Sequence, residues 1–230
     1  MAAFKGFPRE IVNFFQELSA NNSKVWFNEH KDEYENYVLT PSQEFVVAIA
    51  DLLKPIAQEI NGDPRINKSI FRIYRDTRFS KDKTPYKTHL GIYFWEGYRK
   101  KMENPGYYFH LEPSQLGLHA GMHILEKQYL QEYRDSVVHP KHGAGLDKAV
   151  KKVLAAGIYE VAGAKYKRTP KGYDPEHKYS NYLLNKGMFA SFRTEIPEEI
   201  FTDKCVDYCF DKFKGMSPIQ HWIVNMMKRI

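Results

Sequence analysis

Cysteine is scarce in this chain of 230 residues: Cys205 and Cys209 are the only two. Two thiols make no disulfide framework, and they fall short of the roughly four ligands that a structural zinc site needs. Four residues apart on a helix they share a face, which predicts buried structural thiols. Long apolar runs are missing as well. No stretch approaches the roughly 18 apolar residues of a membrane span, and the opening MAAFKGFPRE lacks the apolar core of a signal peptide, so a cytoplasmic protein with no membrane partner is expected. No repeat, low-complexity tract or Gly/Ser-rich linker divides the chain, so residues 1–230 are expected to form a single domain. The patterns G-x-S-x-G, H-E-x-x-H and G-x-G-x-x-G do not occur either. Their absence removes the common signposts of hydrolases, zinc proteases and dinucleotide enzymes. Nothing calls for a cofactor.

What is present is aromatic and basic. Sixteen Tyr and fifteen Phe supply large buried area, and Tyr keeps a polar tip that suits a cleft edge. The net charge of +6 favours anionic partners. That charge is unevenly placed: residues 1–67 carry a net −4, residues 68–140 a net +4, residues 141–186 a net +6, and the rest is neutral.

The first 60 residues read as helices. Ile11, Phe14, Phe15 and Leu18 recur at helical spacing, and Asn21-Asn22-Ser23 breaks that helix and caps the next. Thr40-Pro41-Ser42-Gln43 reads as a capping box opening a third helix, with Phe45, Ile49, Leu52, Ile56 and Ile60 on one stripe. From 69 to 124 the texture is that of strands: Ser69–Arg75, Leu90–Trp95, Tyr107–Glu112 and Leu116–Ile124. Helical patterns return at Glu126–Val138 and Leu146–Ala156, and a short strand is expected near Tyr159–Tyr166. Short helices follow around Tyr179–Asn185, Glu198–Phe213 and Pro218–Lys228. The expected class is α+β: a central antiparallel sheet, an N-terminal helical region and C-terminal helices.

Residues 68–89 read KSIFRIYRDTRFSKDKTPYKTH, with a net charge of +5. Arg72, Arg75, Arg78, Lys81, Lys83 and Lys87, with Tyr86 among them, are the candidate ligand-binding residues. Guanidinium groups take phosphate bidentately and lysines add point charge. On a strand Arg72 and Arg75 would face opposite sides, so only one would serve a given site. The competing reading is structural: Asp76 and Asp82 pair with the arginines and pin the loop. The string SIFRIYRDTRFSKDKTPYKT, with NNSKVWF upstream and PGYYFHLEP and KRTPKGYDPEH downstream, resembles the family catalogued as Domain of Unknown Function 2461, found in bacteria and fungi. The resemblance implies an intracellular, single-domain α+β protein and brings no activity, cofactor or catalytic residue with it.

If Pro113-Ser114 is a two-residue turn, Glu112 opposes Gln115, His110 opposes Gly117 and Tyr108 opposes His119. One face then carries Tyr107, Phe109, Leu111, Leu116, Leu118, Ala120, Met122 and Ile124 and belongs to the core. The other carries Tyr108, His110, Glu112, Gly117, His119, Gly121 and His123, either a wet surface or the floor of a cleft. His119 and His123, about 13 Å apart along a strand, cannot share a metal. His110 and His119 are diagonal neighbours about 7 Å apart and can, but no third ligand is evident, so no metal is expected. Tyr108, His110 and His119 are the catalytic candidates, with histidine as acid or base. A second basic stretch, KYKRTPKGYDPEHK at 165–178, interleaves Lys165, Lys167, Arg168, Lys171 and Lys178 with Tyr166 and Tyr173, a pattern that fits single-stranded nucleic acid or an ordinary surface loop. Three functions follow in order of preference. The first is an anion-binding protein whose partner is a phosphorylated ligand or nucleic acid. The second is an enzyme acting on an anionic small molecule through a histidine. The third is an interaction module whose basic loop is only structural.

Overall fold

The computed structural model describes residues 4–229. Helix α1 (Glu10–Ala20) buries Ile11, Phe14, Phe15 and Leu18, the stripe its sequence announces. Ser23 then caps α2 (Lys24–Glu29), its Oγ accepting from the Trp26 amide at 3.2 Å. Helix α3 (Lys31–Glu33), a π-helical stretch Tyr34–Leu39 and α4 (Thr40–Leu53) form one continuous rod. The expected capping box at Thr40 therefore does not exist: Thr40 is helical, at φ −59° and ψ −50°. Pro41 has no N–H to bond the preceding turn, and the wide π turns sit immediately before it. The stripe also ends sooner than expected. Helix α4 stops at Leu53, and Ile60 begins strand β1 (Ile60–Asn61).

The sheet comprises β1, β2 (Leu90–Glu96), β3 (Gly106–Glu112), β4 (Gln115–Met122), β5 (Glu160–Ala162) and β6 (Met188–Thr194), all antiparallel in the order β1-β2-β3-β4-β6-β5. The β3–β4 hairpin has the anticipated register, Glu112 to Gln115, His110 to Gly117 and Tyr108 to His119. Strand β6 was not anticipated. Ser69–Arg75, by contrast, is not a strand but an irregular extended segment, tied down by isolated bridges such as Ile70 to Ile92 and Tyr74 to Tyr86. Ile70 and Ile73 are both buried three residues apart, a spacing that a regular strand does not give.

Helices α5 (Lys127–Val138) and α7 (Ser180–Leu183) fall where their sequences place them, whereas α6 (Pro140–Leu154) begins six residues before the expected Leu146, with Pro140 in its first turn and the His139 side chain capping it. The two expected C-terminal helices fuse into a single long α8 (Cys205–Met227), with Pro218 inside it and only a short 3-10 turn, Glu198–Phe201, before it. Cys205 and Cys209 are buried in α8 as free thiols. Helices α4 and α8 pack on one face of the sheet, where Ile92, Phe94, Phe109, Leu118, Ala120 and Met188 are almost wholly excluded from solvent. One correction falls at the end of β4: Ile124 lies beyond the strand and is 55% exposed. The architecture is α+β, with helices at both ends of the chain and a central antiparallel sheet. Among the described residues no helix is long and apolar enough to cross a membrane.

Candidate functional site

The face of the sheet away from α4 and α8 is organised as three rows across four strands. The registers place Gly91, His110, Gly117 and Arg193 in one row, and Tyr93, Tyr108, His119 and Ser191 in the next. The third row holds Trp95, Gly106, Gly121 and Phe189. Glycine sits beside each large ring of the middle row, diagonally across the strands for Tyr108 and Tyr93 and two residues along β4 for His119. A Cβ on Gly91 would lie 2.6 Å from the Tyr108 hydroxyl, one on Gly106 2.8 Å from the Tyr93 ring, and one on Gly117 3.1 Å from His119 Nε2. The rings therefore lie down over bare backbone, and the sheet carries an aromatic floor rather than a wall of upright side chains.

Above this floor is a cavity of about 660 Å³, within the range of small-molecule sites. The floor supplies Tyr93, Tyr108, His119 and Phe189, and Phe71 closes one side, its ring edge-on to Tyr108 at 6.0 Å. Asn104 anchors the floor from the 97–105 connection, where its carbonyl accepts from the Tyr93 hydroxyl at 2.6 Å. Met102 and Ile124 are exposed at the rim and give it an apolar lip.

The polar groups here are neutral or cationic. Burial, reinforced by His110 and Lys87, pushes His89 down to about 4. Burial, with Arg193 and two neighbouring histidines, does the same to His119, also to about 4. Its Nδ1 is buried with no hydrogen-bond partner. His110 is lowered by burial, with Glu112 acting in the opposite direction. The Tyr108 phenol is pushed up to about 12 by burial. Its hydroxyl lies 3.3 Å from His110 Nδ1, and His110 Nε2 lies 3.6 Å from the Glu112 carboxylate. His89 packs against His110 with ring centroids 4.4 Å apart and the planes tilted by 37°.

The basic segment divides in two. Arg78 is clamped bidentately on Asp76, with Nε to Oδ1 at 3.0 Å and Nη2 to Oδ2 at 2.7 Å. Arg75 bonds Asp82 at 2.6 Å and both oxygens of Thr84. Lys83 donates to the Thr77 carbonyl at 2.8 Å, and Lys81 is exposed. These ion pairs hold both aspartates near 2, through the arginine hydrogen bond first at Asp76 and the Thr84 hydrogen bonds first at Asp82. Tyr86 is buried, stacked on Phe27 at 4.2 Å, and Asn22 bonds both its amide and its carbonyl, tying NNSKVWF to the loop. None of these side chains lines the cavity; of the seven basic-loop candidates only Lys87 does. Arg72 is exposed beside it and offers its carbonyl to Lys87 Nζ at 2.8 Å.

Lys87 has a companion. Its Nζ sits 5.5 Å from the Phe71 ring centroid, and Lys101 Nζ sits 4.1 Å from the same ring. Among the described residues neither lysine has a carboxylate partner. Burial first and neighbouring cations second lower both, Lys101 to about 8. The 165–178 stretch contributes nothing to the cavity: Tyr166 is capped by Arg134 and Lys186, and Tyr173 donates to Asp135 at 2.7 Å. Among the described residues no cluster of three or more His, Cys, Asp or Glu could hold a metal ion.

Of the sequence candidates, Tyr108, His119 and Lys87 line the cavity and His110 stands beside Tyr108. His89, Tyr93, Phe189 and Arg193 also line it and were not among those candidates, nor was Lys101 beside Phe71. Phe189 and Arg193 had a signal: in MFASFRT, Met188, Ala190 and Phe192 alternate with Phe189, Ser191 and Arg193.

These features define an α+β protein with an open aromatic cleft on the sheet face away from α4 and α8, edged by cations. The chain belongs to the family described as conserved hypothetical protein (DUF2461), whose profile matches residues 10–222. A comparison with curated proteins finds no match.

Proposed function

We propose that this protein binds a small anionic ligand with a flat or apolar body in the cleft over Tyr93, Tyr108 and His119. The anionic group sits against Lys87 and Lys101, with Arg193 on the far row as a second contact. The observation that carries this reading is that two half-buried ammonium groups, each held by backbone carbonyls, meet on one ring at the cavity edge with no carboxylate partner among the described residues. Lys87 lowers the proton affinity of Lys101, and an anion joining the two would relieve that repulsion. A cavity of about 660 Å³ favours a small molecule over a nucleic-acid strand, which needs an extended groove.

A thermal-shift panel of phosphorylated and carboxylated aromatic compounds, sugar phosphates and short RNA, at low and moderate salt, tests it. A small anion at 100 times its dissociation constant should stabilise the protein by about 2.7 kcal/mol. A Lys87→Met/Lys101→Met variant should lose that shift, and Arg78→Ala/Lys83→Ala should keep it. A flat panel, or a shift lost only in the Arg78/Lys83 variant, would overturn the assignment.

A further inference from the structure

Tyr108 lines the cavity, whereas His110 stands behind it and Glu112 behind His110, at the end of β3. The three alternate along one strand, so the pleat alone aims them all at the cleft face. Tyr108 is recessed, His110 is about a quarter exposed and the Glu112 side chain is 40% exposed. The row runs from the ligand space to bulk water. No other titratable group meets the Tyr108 hydroxyl in a hydrogen bond among the described residues.

We propose that this row is a proton relay and that the cleft is an active site in which Tyr108 exchanges a proton with an anionic, planar substrate bearing an acidic C–H beside a carbonyl. The proposal rests on the ligand-binding reading above. In the forward step the substrate proton passes to Tyr108 Oη while the phenolic proton passes to His110 Nδ1. The electron pair of the broken C–H bond delocalises onto the carbonyl oxygen as an enolate. His110 becomes an imidazolium, its charge is offset by Glu112, and its Nε2 proton exchanges with water. The substrate-derived proton now on Tyr108 Oη exchanges with water in the cleft, and the reverse step then returns a solvent-derived proton to carbon while His110 Nδ1 reprotonates the phenol, so atoms and electrons balance with no co-reactant. The Tyr108–His110 separation is 3.3 Å, a distance that catalytic hydrogen bonds shorten from when substrate binds. Tyr108 is the catalytic residue; His110 and Glu112 act through it. The other groups facing His110 are His89, packed against it, His119 on β4 and Arg193 on β6. Both histidines stay neutral near pH 7, so Arg193 is the cation that opposes the imidazolium.

The test uses the full chain in deuterium oxide with phenylpyruvate, 4-hydroxyphenylpyruvate and indole-3-pyruvate as probes. Proton NMR follows loss of the methylene signal, and thermal shift follows binding in parallel. Exchange should run above the buffer rate for at least one probe. Tyr108→Phe, which keeps the ring of the floor and removes only the hydroxyl, should reduce exchange about 100-fold or more, even at probe concentrations that saturate the variant's own thermal shift. Glu112→Gln should lower the plateau rate and move the acid limb of the pH profile to lower pH, because His110 becomes a weaker base. Stabilisation without exchange, or exchange indifferent to Tyr108→Phe, overturns the relay alone. Neither stabilisation nor exchange with any probe overturns the relay and the cleft assignment together.

Discussion

His89 and His119 carry a cost that is visible only when pH changes. Each sits near 4 in the folded protein, pushed down from the ordinary histidine range chiefly by burial. Between about pH 6.5 and about pH 4 the unfolded chain therefore binds protons that the folded chain refuses, and stability rises with pH across that window. Acidification from neutrality should lower the urea midpoint progressively, by roughly 3 kcal/mol in total once partial exposure is discounted. A His89→Asn/His119→Asn variant should flatten this limb in urea titrations at several pH values. A wild-type limb that survives in the variant would assign the acid sensitivity elsewhere. Asp76 and Asp82, near 2, enter only below that window, because depressed carboxylates lose their contribution as pH falls through their folded values.

At the scale of elements, the β3–β4 hairpin was legible because each residue had one role: apolar inward, polar or glycine outward, with Pro113-Ser114 to set the register. Strand β6 was not, because its cleft side carries Phe189 beside Phe192 and Met188, which blurs the period-two signal. A face that builds a binding floor from aromatics looks, in sequence, like a core. The same applies to Tyr93 in LGIYFWE. Lys101 was hidden for another reason: it lies 14 residues beyond Lys87, and only the fold over Phe71 unites them. Pro218 misled in the opposite direction. It removes the amide that would bond the Lys214 carbonyl, yet α8 continues, because Ser217 Oγ donates to that carbonyl at 2.8 Å. Ser217→Ala should cost about 1 kcal/mol. In a Ser217→Ala/Pro218→Ala variant the restored amide should recover most of that loss, an interaction that a double-mutant cycle by urea unfolding would measure.

At the scale of the whole molecule, one apolar core runs from Phe4 through the inner face of the sheet to Met227. Phe7, ahead of the first helix, stacks on Phe109 of the central strand at 5.5 Å, and Phe45 of α4 packs on the same ring at 4.9 Å. Such a core predicts one cooperative transition, with far-UV circular dichroism and the fluorescence of Trp26, Trp95 and Trp222 reporting the same midpoint. Phe7→Ala should lower that shared midpoint by the equivalent of about 3–5 kcal/mol. Two separated transitions would show instead that the N-terminal segment unfolds independently.

The aromatic floor also bears on how readily this protein can change. Its three middle rings, Tyr93, Tyr108 and His119, rest beside glycines rather than on a second layer of side chains. Shortening Tyr93, Tyr108 or His119 would leave a dent bottomed by main-chain atoms and leave the packing beneath the sheet untouched. Depth and shape in the cleft are thus uncoupled from the integrity of the scaffold. A lineage, or an engineer, can re-cut the site one ring at a time to suit ligands of different thickness, while the helices on the opposite face go on holding the fold.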